Sequence, residues 1–229
     1  MNLPDYIDLY CERTAPGFWN EPINALSNAA FLVAAWFAWR VYAQRGRHDA
    51  LDLILIILAA AIGIGSFLFH TFANGWSELA DVIPIWTFVA IFVLVTIYRL
   101  TGERLWATAR IALIVVGSIG VVFWITSGDV TTDDASGPGY LNGSLQYLPA
   151  LLALAGFAAV TLVRRHPARY YVTGAAITFL LSLCFRTIDL TACAATGFGT
   201  HFIWHILNGV MIGLLLQSLL RHLPAQRAS

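Results

Sequence analysis

The stretch LDLILIILAAAIGIGSFLFHTFANGWSELADVIP, from Leu51 to Pro84, decides the fold. It opens on nearly unbroken hydrocarbon, enough for the roughly 20-residue helix that crosses a bilayer. A short polar connector follows, and a second apolar run begins at Val82. Ser66, His70 and Asp81 gather around that junction. Ionisable groups in such a place are rare, and they usually carry function.

The same pattern extends in both directions. Apolar runs cover Ile23–Tyr42, Leu51–Phe69, Val82–Tyr98, Thr108–Ile125, Leu145–Val163, Tyr170–Phe185 and Phe202–Leu220, with short polar connectors between them. Hydrophobic residues make up 59% of the 229 residues and charged ones 11%. The reading is an all-α integral membrane bundle of seven transmembrane helices, forming a single domain over 1–229. Nothing remains for a soluble domain, and no basic patch suggests nucleic acid. The segment 1–22 lacks a basic n-region and an apolar core, so it reads as a polar N-terminal segment and not as a cleavable signal. The connector 126–146, rich in Gly, Ser and Asp, reads as a surface loop.

Net charge is zero, yet the charges are segregated. Every basic residue is Arg, and most fall on alternate connectors: Arg40, Arg45 and Arg47; Arg99, Arg104 and Arg110; Arg164, Arg165 and Arg169; then Arg221 and Arg227. Only Arg13 and Arg186 map to the opposite, acidic side. The positive-inside bias places the N-terminus outside and the C-terminus in the cytoplasm. The absence of Lys and the compact connectors point to a bacterial inner-membrane protein.

Cys184 lies within the sixth run, where a small core residue is the plain reading. Cys11 and Cys193 both map outside, where disulfides persist. The residues alone leave that pair open as bonded or free.

The histidines divide by position. His48, His166 and His222 sit beside Arg at the cytoplasmic boundary and need only solvent. His70 ends the second run, and His201 and His205 open the seventh, all at one depth. The i, i+4 spacing of HFIWH puts two imidazoles on one helix face, either as a metal chelate or as interfacial residues. GSFLFH sets Ser66 and His70 at the same spacing, after Gly63 and Gly65, which permit close helix approach. Asp81 reads either as a helix N-cap before Pro84 or as an acid–base group. Three His leave an open position on a tetrahedral zinc, the pattern of a catalytic site. A nearby Asp can then accept a proton from water, and a Ser hydroxyl can donate to an oxyanion.

These residues resemble a known family. GSFLFH, Asp81 and HFIWH, together with YCER, EPINALSN, TIDLTAC and WHILNG, are similar to the alkaline ceramidases. That family belongs to a superfamily of seven-span membrane hydrolases that includes the adiponectin receptors. The resemblance implies zinc held by His70, His201 and His205, with Ser66 and Asp81 catalytic. It implies hydrolysis of the ceramide amide to a sphingoid base and a fatty acid, with the site facing the extracytoplasmic side. It further implies a Cys11–Cys193 disulfide. A calcium site in the N-terminal segment is implied too, drawn from Asp8, Glu12, Asn20 and Glu21. An esterase or phospholipase of the same superfamily would share the zinc chemistry. A seven-span receptor or transporter is the reading from another class, although no internal repeat is visible.

Overall fold

The computed structural model describes residues 6–46, 48–102, 104–127 and 140–223. The connector expected over 126–146 lies mostly outside the described residues, as do both extreme termini. Among the described residues the chain is all-α, with one isolated bridge between Tyr6 and Asn74. The helices are α1 (Pro22–Ser27), α2 (Ala29–Ala43), α3 (Ala50–Phe72), α4 (Gly75–Leu100), α5 (Leu105–Ser127), α6 (Leu148–Val163), α7 (Arg169–Thr187), α8 (Asp189–Thr196) and α9 (His201–His222).

Local chemistry sets their ends. Pro22 opens α1, and both Glu12 carboxylate oxygens accept from its free amides, Ile23 at 2.7 Å and Asn24 at 2.8 Å. Asp49 caps α3 through the amides of Leu51 and Asp52. Asn74 and Ser77 form a reciprocal capping box at the start of α4. Helix α4 therefore starts well before Val82, and Asp81 is not its N-cap. The connector residue Asn74 takes that role because its side chain reaches Ser77 N.

Each apolar run lies in helix, but not every helix has the length of a span. Among the described residues, four helical stretches are long and apolar enough to cross a membrane: Ala50–Phe72, Gly75–Leu100, Leu141–Val163 and His201–His222. The count is five if α7 and α8, bent by 62°, form one span. The first run is broken at Asn28, leaving α2 with 15 residues. These apolar helices mark a multi-pass membrane protein.

Helices α3, α4, α7 and α9 supply most of the core, with Leu55, Ile62, Phe92, Val172, Phe179 and Leu216 buried together. Helix α2 packs on both α3 and α9. Large apolar side chains also face outward, among them Trp36, Phe37, Leu113 and Leu180. Cys184 belongs to this exposed surface and not to the core.

The two ends of the bundle differ. At one, buried Arg99 binds Asp52 at 2.8 Å and the Leu223 carbonyl at 2.9 Å, and Arg45 reaches Asp52 at 3.3 Å. Breaking such a buried pair from one side costs about 3–5 kcal/mol. At the other end the N-terminal segment folds over the helices. Ile7 N donates to the Ala73 carbonyl at 2.8 Å, and Cys11 is disulfide-bonded to Cys193, with Cα atoms 5.6 Å apart.

Candidate metal centre

His70 closes α3, and His201 and His205 lie on the first turns of α9. All three are buried, at 1%, 1% and 2% exposure. One ligand nitrogen from each lies within 4.8 Å of the others, and among the described residues no other group of three His, Cys, Asp or Glu does this.

Neighbouring residues orient the rings. Ser27 Oγ donates its proton to the Asn24 carbonyl at 2.7 Å, so at 2.8 Å from His205 Nδ1 it must accept. The Glu21 carboxylate stands 2.5 Å from His70 Nδ1. Burial alone would raise the Glu21 pKa, but hydrogen bonds from His70, Asn24 and Arg13 hold it below the usual carboxylate value. An ionised carboxylate only accepts, so His70 Nδ1 carries a proton. With Nδ1 of both rings engaged, the two Nε2 atoms are the ones left for a metal, and they face each other at 3.1 Å. Zn–N bonds of about 2.0–2.1 Å at tetrahedral angles separate two ligands by about 3.3 Å, so the spacing fits zinc. His201 adds a buried Nδ1 with no hydrogen-bond partner. An outer carboxylate or hydroxyl on each of two ligand rings is the usual support of a metal histidine.

Backbone anchors hold the rings in place. Asp189 Oδ1 accepts from Thr200 N at 2.7 Å and His201 N at 2.9 Å, capping α9, while its Oδ2 accepts from Cys11 N at 3.2 Å. The Tyr10 ring stacks on His201 with centroids 3.7 Å apart. Arg13 binds the Glu21 carboxylate and donates to the His70 carbonyl at 2.8 Å.

Ser66 and Asp81 come from adjacent helices. A Cβ at position 65 would run into the Ala80 carbonyl, so Gly65 is what lets α3 and α4 touch at this level. Ser66, Asp81, His201 and His205 all line one cavity of about 880 Å³. Its wall is otherwise mostly apolar, running past Phe88, Phe92 and Ile111 to Arg104 and Arg164.

The residues expected to hold calcium do not fit that ion. Glu12 spends both oxygens on the start of α1. Asn20 Oδ1 accepts from Thr14 N, Thr14 Oγ1 and Ala15 N. Asp8 lies at the surface beside the Tyr6 hydroxyl. Glu21 faces Arg13, whose guanidinium also donates to the carbonyls of Gly17 and His70. A side-chain cation thus already holds the Glu21 carboxylate that a hard metal ion would need.

Sequence reasoning passed over Tyr10, Ser27, Asp189 and the arginines Arg13 and Arg186. A signal for the arginines was present, since they alone break the charge segregation. Ser27 and Asp189 carried no pattern of their own, because their partners lie 178 and 12 residues away.

No curated protein matches the chain significantly. The Ceramidase family matches it over residues 10–228, so the chain belongs to the ceramidase family.

Proposed function

We propose that this protein is a zinc-dependent membrane amidase that hydrolyses ceramide or a related N-acyl lipid to an amine base and a fatty acid. The observation that carries this reading is a cluster of three buried imidazoles, two of which, His201 and His205, stand in the wall of a large, mostly apolar cavity beside Ser66 and Asp81. A volume of about 880 Å³ is at the upper end of ligand pockets, in keeping with a long-chain lipid.

His70, His201 and His205 would hold zinc, which when bound would supply Lewis acidity and lower the pKa of water. Asp81 takes a proton from the attacking water as its oxygen bonds the amide carbon, and returns it to the amine nitrogen as the C–N bond breaks. Ser66 donates to the oxygen that gains negative charge. The cavity wall holds the acyl chain and keeps bulk water away. The N-terminal segment, tied down by the disulfide and Arg13, closes the polar end of the site.

The span assignment belongs to the same reading. Seven crossings put the three His towards the extracytoplasmic side, with the N-terminus outside and the C-terminus in the cytoplasm, in a bacterial inner membrane. Identification of the products by mass tests the chemistry. Release of free fatty acid and amine base from ceramide by the purified zinc-loaded protein supports it. Intact ceramide, with ester lipids cleaved in its place, moves the assignment to a lipid esterase.

A further inference from the structure

Among the described residues three arginines are buried: Arg13 at 4%, Arg99 at 6% and Arg186 at 7% exposure. Arg13 binds Glu21, and Arg99 binds Asp52 and Asp49. Arg186 differs, because no carboxylate among the described residues lies within salt-bridge distance of it. Its guanidinium is held by aromatic faces, 5.7 Å from the Tyr10 ring centre, 5.4 Å from Tyr147 and 5.3 Å from Trp204. Its Nη1 donates to the Tyr10 hydroxyl at 3.3 Å, and its Nε has no hydrogen-bond partner among the described residues.

Arg186 also lines the cavity that holds Ser66, Asp81, His201 and His205. Tyr10 joins it to the metal centre, with its hydroxyl on Arg186 and its ring stacked on His201. A guanidinium cannot shed its charge in a protein, so burial without a directly bound carboxylate is costly, and among the described residues Asp81 acts on Arg186 only through space. Aromatic faces offset part of that cost and leave the planar donor edge available. That edge is suited to an oxyanion, above all a carboxylate bound by paired N–H groups.

We infer that Arg186 is the headgroup receptor of this site, and that the preferred substrate is an N-acyl lipid with an oxyanion close to the scissile amide. The inference rests on the amidase reading and narrows its substrate class. Only one aromatic ring separates the guanidinium from His201, so the anion must lie within a few bonds of the amide. An N-acyl amino acid, with its carboxylate on the carbon that bears the amide nitrogen, meets that condition. Neutral ceramide offers only hydroxyls to the same donors.

The test compares three substrates of equal acyl length on purified zinc-loaded protein: an N-acyl amino acid, ceramide 1-phosphate and ceramide. The readout is the ratio of kcat/KM for each acidic lipid to that for ceramide. The wild type is expected to favour an acidic lipid, with the carboxylate ahead of the more distant phosphate. Removing one partner of a buried charge pair lowers affinity by about 30-fold or more, so Arg186→Gln should shrink the ratio by that much, chiefly through KM. Arg186→Lys keeps the charge but not the paired donors and should restore part of it. A phosphate preference as strong as the carboxylate preference still identifies an oxyanion site. A wild-type ratio near one overturns the inference and leaves the amidase reading standing, as does a ratio that Arg186→Gln does not change. If Arg186→Gln does not fold, the wild-type ratio and Arg186→Lys decide. Should no amide be cleaved, the amidase reading itself falls, and the inference falls with it.

Discussion

Ser27 Oγ lies 2.8 Å from His205 Nδ1 and, having given its own proton to Asn24 O, can only accept from the ring. A small polar residue at the end of α1 therefore decides which nitrogen of His205 is bare. Ser27→Ala removes the acceptor and frees the ring to turn. Outer partners of metal histidines typically contribute 10–100-fold in affinity or activity, so a loss of about that size is expected. Metal titration against a competing chelator measures it. An unchanged affinity would mean that the ring is held by packing alone.

Glu21 links two tasks, since it accepts from His70 Nδ1 and binds Arg13. Glu21→Gln keeps the shape and loses the charge, leaving Arg13 buried and uncompensated. Lower zinc affinity and a lower melting temperature should appear together, the latter reflecting a penalty of about 3–5 kcal/mol. Calcium should not shift the melting temperature of the wild type, because the Arg13 guanidinium already holds the Glu21, Gly17 and His70 oxygens. A saturable calcium-dependent rise would contradict that assignment.

The Cys11–Cys193 disulfide joins the N-terminal segment to α8 across 182 residues. Cys11→Ser is expected to cost about 2–4 kcal/mol of stability. It should also lower activity, because Cys11 N binds Asp189, the same carboxylate that caps α9 before His201. Alkylation of the wild type without reductant should label Cys184 alone.

Gly65→Ala tests the contact between α3 and α4. The added methyl meets the Ala80 carbonyl, which is backbone and cannot turn aside. The helices must separate there, so activity should fall sharply while Gly117→Ala, with open space around it, stays near wild type.

Much of this was legible in the sequence. Hydropathy finds the helices because hydrocarbon thickness sets their length. HFIWH places two ligands because helical periodicity is local. Helix ends were less legible: α4 begins at Gly75 because Asn74 and Ser77 cap it, although Pro84 suggested a later start. The supports of the metal centre could not be read along the chain at all. Glu21 and His70 are 49 positions apart, and Ser27 and His205 are 178. Only the packing of α1 against α3 and α9 brings them together. The calcium expectation and its alternative, an acidic segment paired with Arg13, read alike along the chain, and only the Arg13–Glu21 contact separates them.

The most direct test measures zinc content and ceramide hydrolysis on the same samples of wild type, His205→Ala, Asp81→Asn and Ser66→Ala. The wild type should hold one zinc per chain and release fatty acid. His205→Ala should lose both metal and turnover. Asp81→Asn should keep zinc and lose turnover, and Ser66→Ala should keep zinc and slow by roughly 10²–10³, the usual cost of one oxyanion donor. Full activity in zinc-free wild type, or undiminished hydrolysis by Asp81→Asn, would contradict the assignment of this cluster as a zinc amidase site.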